Sequence, residues 1–184
     1  MPTATSTGCL KPHSRKLLVV IDMQNDFVTG SLGSDQAQQI VQTVVQKVTS
    51  HDGPLAYTLD THADNYLNTN EGKHLPVRHC IKGEEGHELV SPLKEPLKNA
   101  LAFEKPTFGS LELASYIAQD ESLCQVILIG VCTDICVVSN ALLIKAMRPE
   151  LPILVDSSCC AGTTNENHEA ALQTMRSCQI EVFS

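Results

Sequence analysis

Apolar β-branched runs that alternate with amphipathic helical stretches predict an α/β fold. The expected form is a three-layer, Rossmann-like open sheet of about six mostly parallel strands, with helices on both faces. Three observations carry this expectation. Residues 16–22, KLLVVID, form an unbroken apolar run closed by a carboxylate, the pattern of a central parallel strand buried on both sides. Residues 35–50 place Ala37, Ile40, Val41, Val44, Val45 and Val48 at helical spacing. Residues 125–129, QVILI, form a second buried-strand run, followed after a turn by the helix-forming residues Ala141, Leu142, Ile144, Lys145 and Ala146.

The remaining elements fall in order. Residues 55–60, LAYTLD, read as a strand that again ends in an acid. The stretch from Thr61 to Glu88 is long, polar and rich in His and Gly; such segments are usually functional. Residues 89–99 suit a short helix broken by Pro92 and Pro96. Residues 101–105 form a brief strand, and Ser110 caps a helix through Ala118. The helix after Cys136 ends before Pro149. Residues 152–156 make the next strand, Thr164 or Asn165 caps a helix carrying Ala170, Ala171, Leu172 and Met175, and residues 179–183 close the sheet.

Length and charge narrow the function classes. A chain of 184 residues suits one domain with a substantial core, here residues 16–184 after a flexible lead-in at 1–15. The net charge is −8 and no Lys/Arg cluster occurs, so nucleic acid and anionic membrane surfaces are poor partners. No apolar run reaches the ~20 residues needed to span a bilayer, and the first residues lack the apolar core of a secretory signal. The eight cysteines, with Cys159 and Cys160 adjacent, fit a cytoplasmic protein with reduced thiols better than a disulfide framework. They do not form two CxxC pairs, which disfavours a zinc ribbon.

In open parallel sheets, ligands bind beyond the carboxyl ends of the strands. Four strand ends bring Asp22, Asp60, Lys105 and Cys136 to that edge. A carboxylate, an ammonium and a thiol are the parts of covalent acyl transfer. The helix following Cys136 turns its positive end toward the sulfur, which favours a thiolate. Read singly, each residue has a plainer account: Cys136 as a small buried hydrophobe, Asp22 as a turn residue, Lys105 as a solvated cation. Pro106 forces an extended backbone at Lys105 and so fixes where its side chain leaves the strand.

Three separated motifs, IDMQNDF at 21–27, FEKPTFGS at 103–110 and GVCTDICV at 130–137, together resemble the isochorismatase-like cysteine hydrolases, and within them the nicotinamidase-related branch. The resemblance runs over nearly the whole chain from Lys16. It implies Asp22, Lys105 and Cys136 as a catalytic triad. It also implies a cis peptide at Val131–Cys132, with the backbone N–H groups of Cys132 and Cys136 as an oxyanion hole. Phe27 matches the family's aromatic position beside the substrate, and Val131 lies at the pocket. The implied reaction is hydrolysis of a small primary carboxamide through a thioester, with nicotinamide going to nicotinate and ammonia. Relatives often assemble as homo-oligomers, and the same is expected of this chain.

Asp60-x-His62 resembles the opening of the nicotinamidase metal site, and His79 its last ligand. Glu71 stands where a carboxylate form of the remaining ligand would fall, with His74 and Asp64 as competitors. Two imidazoles and two carboxylates suit zinc, iron or manganese. His168 begins a helix and reads as a packing or capping residue.

Two other readings compete. One is an amidohydrolase of the same superfamily acting on a carbamoyl or ureido compound, since the long loop has no tryptophan to set against an aromatic ring. The other is a non-catalytic nucleotide or thiol-redox module. The absence of GxGxxG after the first strand and of any CxxC argues against it.

Overall fold

The computed structural model describes residues 15–184; residues 1–14, most of the expected lead-in, lie outside the described residues. The strands are β1 (Arg15–Ile21), β2 (Leu55–Asp60), β3 (Leu101–Lys105), β4 (Leu123–Val131), β5 (Ile153–Ala161) and β6 (Glu181–Phe183). All pairings among them are parallel, in the order β3-β2-β1-β4-β5-β6. The chain starts in the middle of the sheet, builds outward one way, then crosses back and builds the other way. The reversal lies between β1 and β4, where the loops leaving the two strands part and open a crevice.

Helices cover both faces because the strands are apolar on both sides. One face packs Leu17, Val19 and Ile21 of β1 under α5 (Leu111–Gln119), α6 (Val138–Met147) and α7 (Asn165–Ser177). The other packs Leu18 and Val20 under α1 (Asn25–Val28), α2 (Asp35–Ser50) and α4 (Ser91–Lys94). Side-chain oxygens cap the three longest amphipathic helices: Ser34 accepts from Ala37 N, Ser110 from Leu113 N and Thr164 from Asn167 N, each at 3.1 Å. Thr164 is therefore the cap of α7, and Asn165 its first residue.

The expected α/β architecture is the observed one, with two local departures. Residues 89–99 hold only the single turn α4, because Pro92 starts it and Pro96 supplies no N–H to continue it. The long segment 61–88 is not structureless. It carries the short helix α3 (Asn70–His74) and two 3₁₀ turns, Tyr66–Asn68 and Glu85–His87. It also folds back so that Ile81 bridges His62 beside β2. Among the described residues no helix is long and apolar enough to cross a membrane. Cys80, Cys132, Cys136, Cys159, Cys160 and Cys178 are free thiols.

Gly130 sets how closely β4 approaches β1 at the crevice. Its φ is +118°, and a Cβ there would lie 2.1 Å from the carbonyl oxygen of Ile21. No side chain fits, because both the torsion and the contact with an immovable backbone atom forbid it. Gly130→Ala is expected to destabilise the fold by roughly 3 kcal/mol, read as a lower midpoint in chemical denaturation; an unchanged midpoint would mean that β4 is free to move away from β1.

Candidate active site

The sheet register assembles the first part of the site. Asp60, the last residue of β2, pairs with Lys105, the last residue of β3. Ile21 pairs with Gly130, so the ends of β1 and β4 also lie side by side. Asp22 follows Ile21 with a φ of 47°, in the left-handed region that aspartate tolerates better than most side chains. The chain turns sharply there, and Gln24 N donates to the Asp22 carbonyl at 2.7 Å. Beyond β4, the Val131–Cys132 peptide is cis, and residues 133–137 form a single π-helical turn that leads into α6 and carries Cys136.

Lys105, only 1% exposed, is the hub. Its Nζ lies 2.7 Å from Asp22 Oδ2, 3.2 Å from Asp60 Oδ1 and 3.5 Å from Cys136 Sγ, and it donates to Thr107 O at 3.1 Å. Thr58, two residues before Asp60 and so on the same side of β2, donates from Oγ1 to Asp22 Oδ1 at 2.6 Å. The three residues of the expected triad thus meet around one ammonium.

Burial decides the charges. It pushes the Cys136 thiol well above its ordinary value, and the adjacent Asp22 charge adds to the rise. The pull of the helix end toward a thiolate acts against this rise. Burial also raises Asp22, although Lys105 opposes the rise. Burial alone would lower Lys105, but Asp22, Cys136 and Asp60 outweigh it and hold the ammonium above the usual lysine range. Burial thus raises the proton affinity of both the thiol and the carboxylate that face the Lys105 ammonium.

A second group of side chains shares Asp60. Asp60 Oδ2 lies 2.8 Å from His62 Nε2 and 3.4 Å from His79 Nε2, and Glu71 Oε1 lies 3.7 Å from each of these nitrogens. One donor atom from each of the four residues falls within 4.8 Å of all the others. His79 Nδ1 donates to Val77 O at 2.8 Å, which leaves Nε2 as the lone-pair nitrogen turned toward the carboxylates. His62 Nε2 is buried and has no hydrogen bond of acceptable geometry although Asp60 Oδ2 lies 2.8 Å away, an orphaned polar atom of the kind a shared cation satisfies. Burial raises the Asp60 carboxyl, but the imidazoles of His62 and His79 and the Lys105 ammonium outweigh this and hold it well below the usual carboxylate range. The donor set fits a divalent transition metal. Of the three candidates for the remaining ligand, the fold brings in Glu71 alone. His74 turns its Nδ1 to Asn70 O at 2.8 Å, and the almost fully exposed Asp64 faces Arg78.

Phe27, on α1, sets its ring 5.5 Å from that of His79. The Val131 side chain is fully buried in the core face under α2. His168 hydrogen-bonds Thr133 Oγ1 through Nδ1 at 2.8 Å, tying α7 to the turn that carries Cys136.

Four supporting residues were not singled out from the sequence. Thr58 is one; the period-two spacing to Asp60 was its signal. Gln24 is another: it accepts from Asp60 N at 2.8 Å and donates to Asp60 O at 2.9 Å and His87 O at 2.8 Å. Tyr66, fully buried, packs its ring 4.6 Å from His62 and 4.8 Å from His79. Asn140 lies one helical turn after Cys136. Nothing local marked the last three, since their partners come from distant segments. An open cleft of about 690 Å³ between α2 and β5 is lined by none of these side chains.

Replacing a donor in the Asp60 cluster tests the metal reading directly. Glu71→Gln and His79→Ala are each expected to weaken Zn²⁺ or Mn²⁺ binding by about 10–100-fold or more in a chelator-competition titration. Affinity equal to that of the unaltered protein would place the ion elsewhere.

Comparison with known proteins gives the geometry a family. An isochorismatase domain family model matches residues 16–184. An uncharacterised isochorismatase family protein, PncA of Bacillus subtilis, is 27% identical, over 86% of this chain and 92% of its own length. The crystal structure of nicotinamidase/pyrazinamidase PncA from Bacillus subtilis superposes with a TM-score of 0.80 at 28% identity, covering 92% of this chain and all of that one. The pyrazinamidase of Pyrococcus horikoshii in complex with zinc gives a TM-score of 0.76 at 26% identity, over 92% and 99% of the two chains. With a family match that spans every strand and both clusters at the sheet edge, this chain belongs to the isochorismatase family.

Proposed function

We propose that this protein is a cysteine amidohydrolase that cleaves a small primary carboxamide, with nicotinamide as the substrate and nicotinate and ammonia as the products. The observation that carries the reading is the meeting of Asp22, Lys105 and Cys136 around one buried ammonium, beside a cluster of metal-ligating side chains. The nicotinamidase and pyrazinamidase titles of the structural neighbours support the substrate class.

In this reading Asp22 takes the Sγ proton as the sulfur attacks the amide carbon. Lys105 Nζ, 2.7 Å from Asp22 Oδ2 and 3.5 Å from Cys136 Sγ, holds base and nucleophile together and balances the charge that moves onto the carbonyl oxygen and back. The backbone N–H groups of Cys132 and Cys136 receive the oxyanion; one such donor is typically worth about 2.7–4 kcal/mol in the transition state. When the tetrahedral adduct collapses, the C–N bond breaks and Asp22 returns the proton to the leaving nitrogen, which departs as ammonia. A thioester remains on Cys136. Asp22 then takes a proton from water, the resulting hydroxide attacks the thioester, and the acid leaves as the thiol is re-protonated.

Asp60, His62, Glu71 and His79 would hold a divalent ion, zinc, iron or manganese by their donor chemistry. Bound there, it would supply a Lewis-acid anchor for a ring nitrogen and so orient the amide. Phe27 offers its ring as one wall of the pocket next to His79. A carbamoyl or ureido substrate would use the same nucleophile and base but has no ring nitrogen to anchor.

An amide panel scored by ammonia release separates these substrates. Nicotinamide turnover is expected in the metal-loaded protein, with Cys136→Ala lowering it by at least about 10³-fold while the fold is retained. Turnover of ureido compounds alone would move the assignment to the second substrate class, and activity retained in Cys136→Ala would overturn the thioester mechanism.

A further inference from the structure

The loop that follows Lys105 has little to hold it. Pro106, Thr107 and Phe108 are all exposed, so no apolar burial anchors this stretch. Yet Thr107 O accepts from Lys105 Nζ at 3.1 Å, which makes the loop part of the cage that fixes the ammonium. A loose loop would release one of the four groups that set the distance between Lys105 and Cys136.

One side chain ties it down. Asn140 is 1% exposed and uses its whole carboxamide. Its Oδ1 accepts from Ser110 N at 2.9 Å, and its Nδ2 donates to Phe108 O at 3.2 Å and to Cys136 O at 2.8 Å. The first two bonds grip the loop on either side of Gly109. The third grips the backbone of Cys136 itself, one helical turn earlier. Gly109 lies so close to α6 that a Cβ there would fall 2.4 Å from Leu143 Cδ1, so the loop sits directly on the helix.

We propose that Asn140 is a positioning residue that clamps the Lys105 loop to the helix of the nucleophile and so holds the ammonium at its working distance from Cys136 Sγ. The proposal rests on the reading of Cys136 as nucleophile and Lys105 as its charge partner. Asparagine suits the task because one planar group presents an acceptor and two donors, and three segments meet there. A serine at 140 would still satisfy Cys136 O, as Ser139 does for Ile135 O at 2.6 Å, but is too short to reach the loop.

Asn140→Ser and Asn140→Ala, made in the full-length metal-loaded protein, test this. For nicotinamide, kcat is expected to fall by about 10²-fold, the scale of an ångström-sized misplacement, with KM changed by less than about 3-fold. Iodoacetamide labelling of Cys136, followed by peptide mass mapping, is expected to slow by about 10-fold in the same variants, because the sulfur loses a well-placed cation. This labelling needs no substrate, so it reports on Asn140 even if nicotinamide proves to be the wrong amide. If Asn140→Ala fails to fold, Asn140→Ser, which keeps the bond within the helix, carries the test. Wild-type labelling and kcat in a Ser variant would overturn the proposal, as would a lower melting temperature with both rates unchanged.

Discussion

A single buried cation organises this protein. An ammonium almost wholly removed from water costs several kcal/mol unless its hydrogens and charge are matched. Lys105 finds matches from four directions: Asp22 beyond β1, Asp60 on β2, the Thr107 carbonyl in its own loop and the Cys136 sulfur beyond β4. None of these groups is near another in the chain except Thr107. The lysine therefore closes the edge of the sheet as much as it serves the chemistry, and each partner is held where the others need it.

The same burial that makes the lysine need partners sets the proton affinities around it. Burial raises both Asp22 and Cys136, while the Lys105 ammonium pulls each of them back down. A helix end pointing at a sulfur would by itself favour a thiolate by about 1 kcal/mol, and burial acts in the opposite direction. Asp60 faces the other way as well. One of its oxygens serves Lys105 and the other serves His62 and His79, so the ammonium cage and the metal-ligating cluster share a carboxylate.

Polar supports of this kind hold the site from behind. Gln24 satisfies both backbone groups of Asp60, Thr58 satisfies Asp22, and Asn140 satisfies the carbonyl of Cys136. Each is buried and would cost more unpaired than the bond returns, so each also fixes a single arrangement of the residues it touches.

The sequence by itself determined the α/β alternation, because period and length of apolar runs are local properties that parallel-sheet burial imposes directly. It also marked Asp22, Asp60, Lys105 and Cys136, since the ends of strands can be read along the chain and their motifs resemble those of the family. It could not choose among Glu71, His74 and Asp64. That choice depended on how residues 61–88 fold back until Ile81 bridges His62 and carries His79 beside it, which no local pattern encodes. Nor could it foresee Gln24, Tyr66 or Asn140 as supports, because which groups a buried polar side chain meets depends on how separate segments are packed together. The surroundings of the sulfur belonged to tertiary structure alone, because the exclusion of water around Cys136 is a property of the assembled sheet edge.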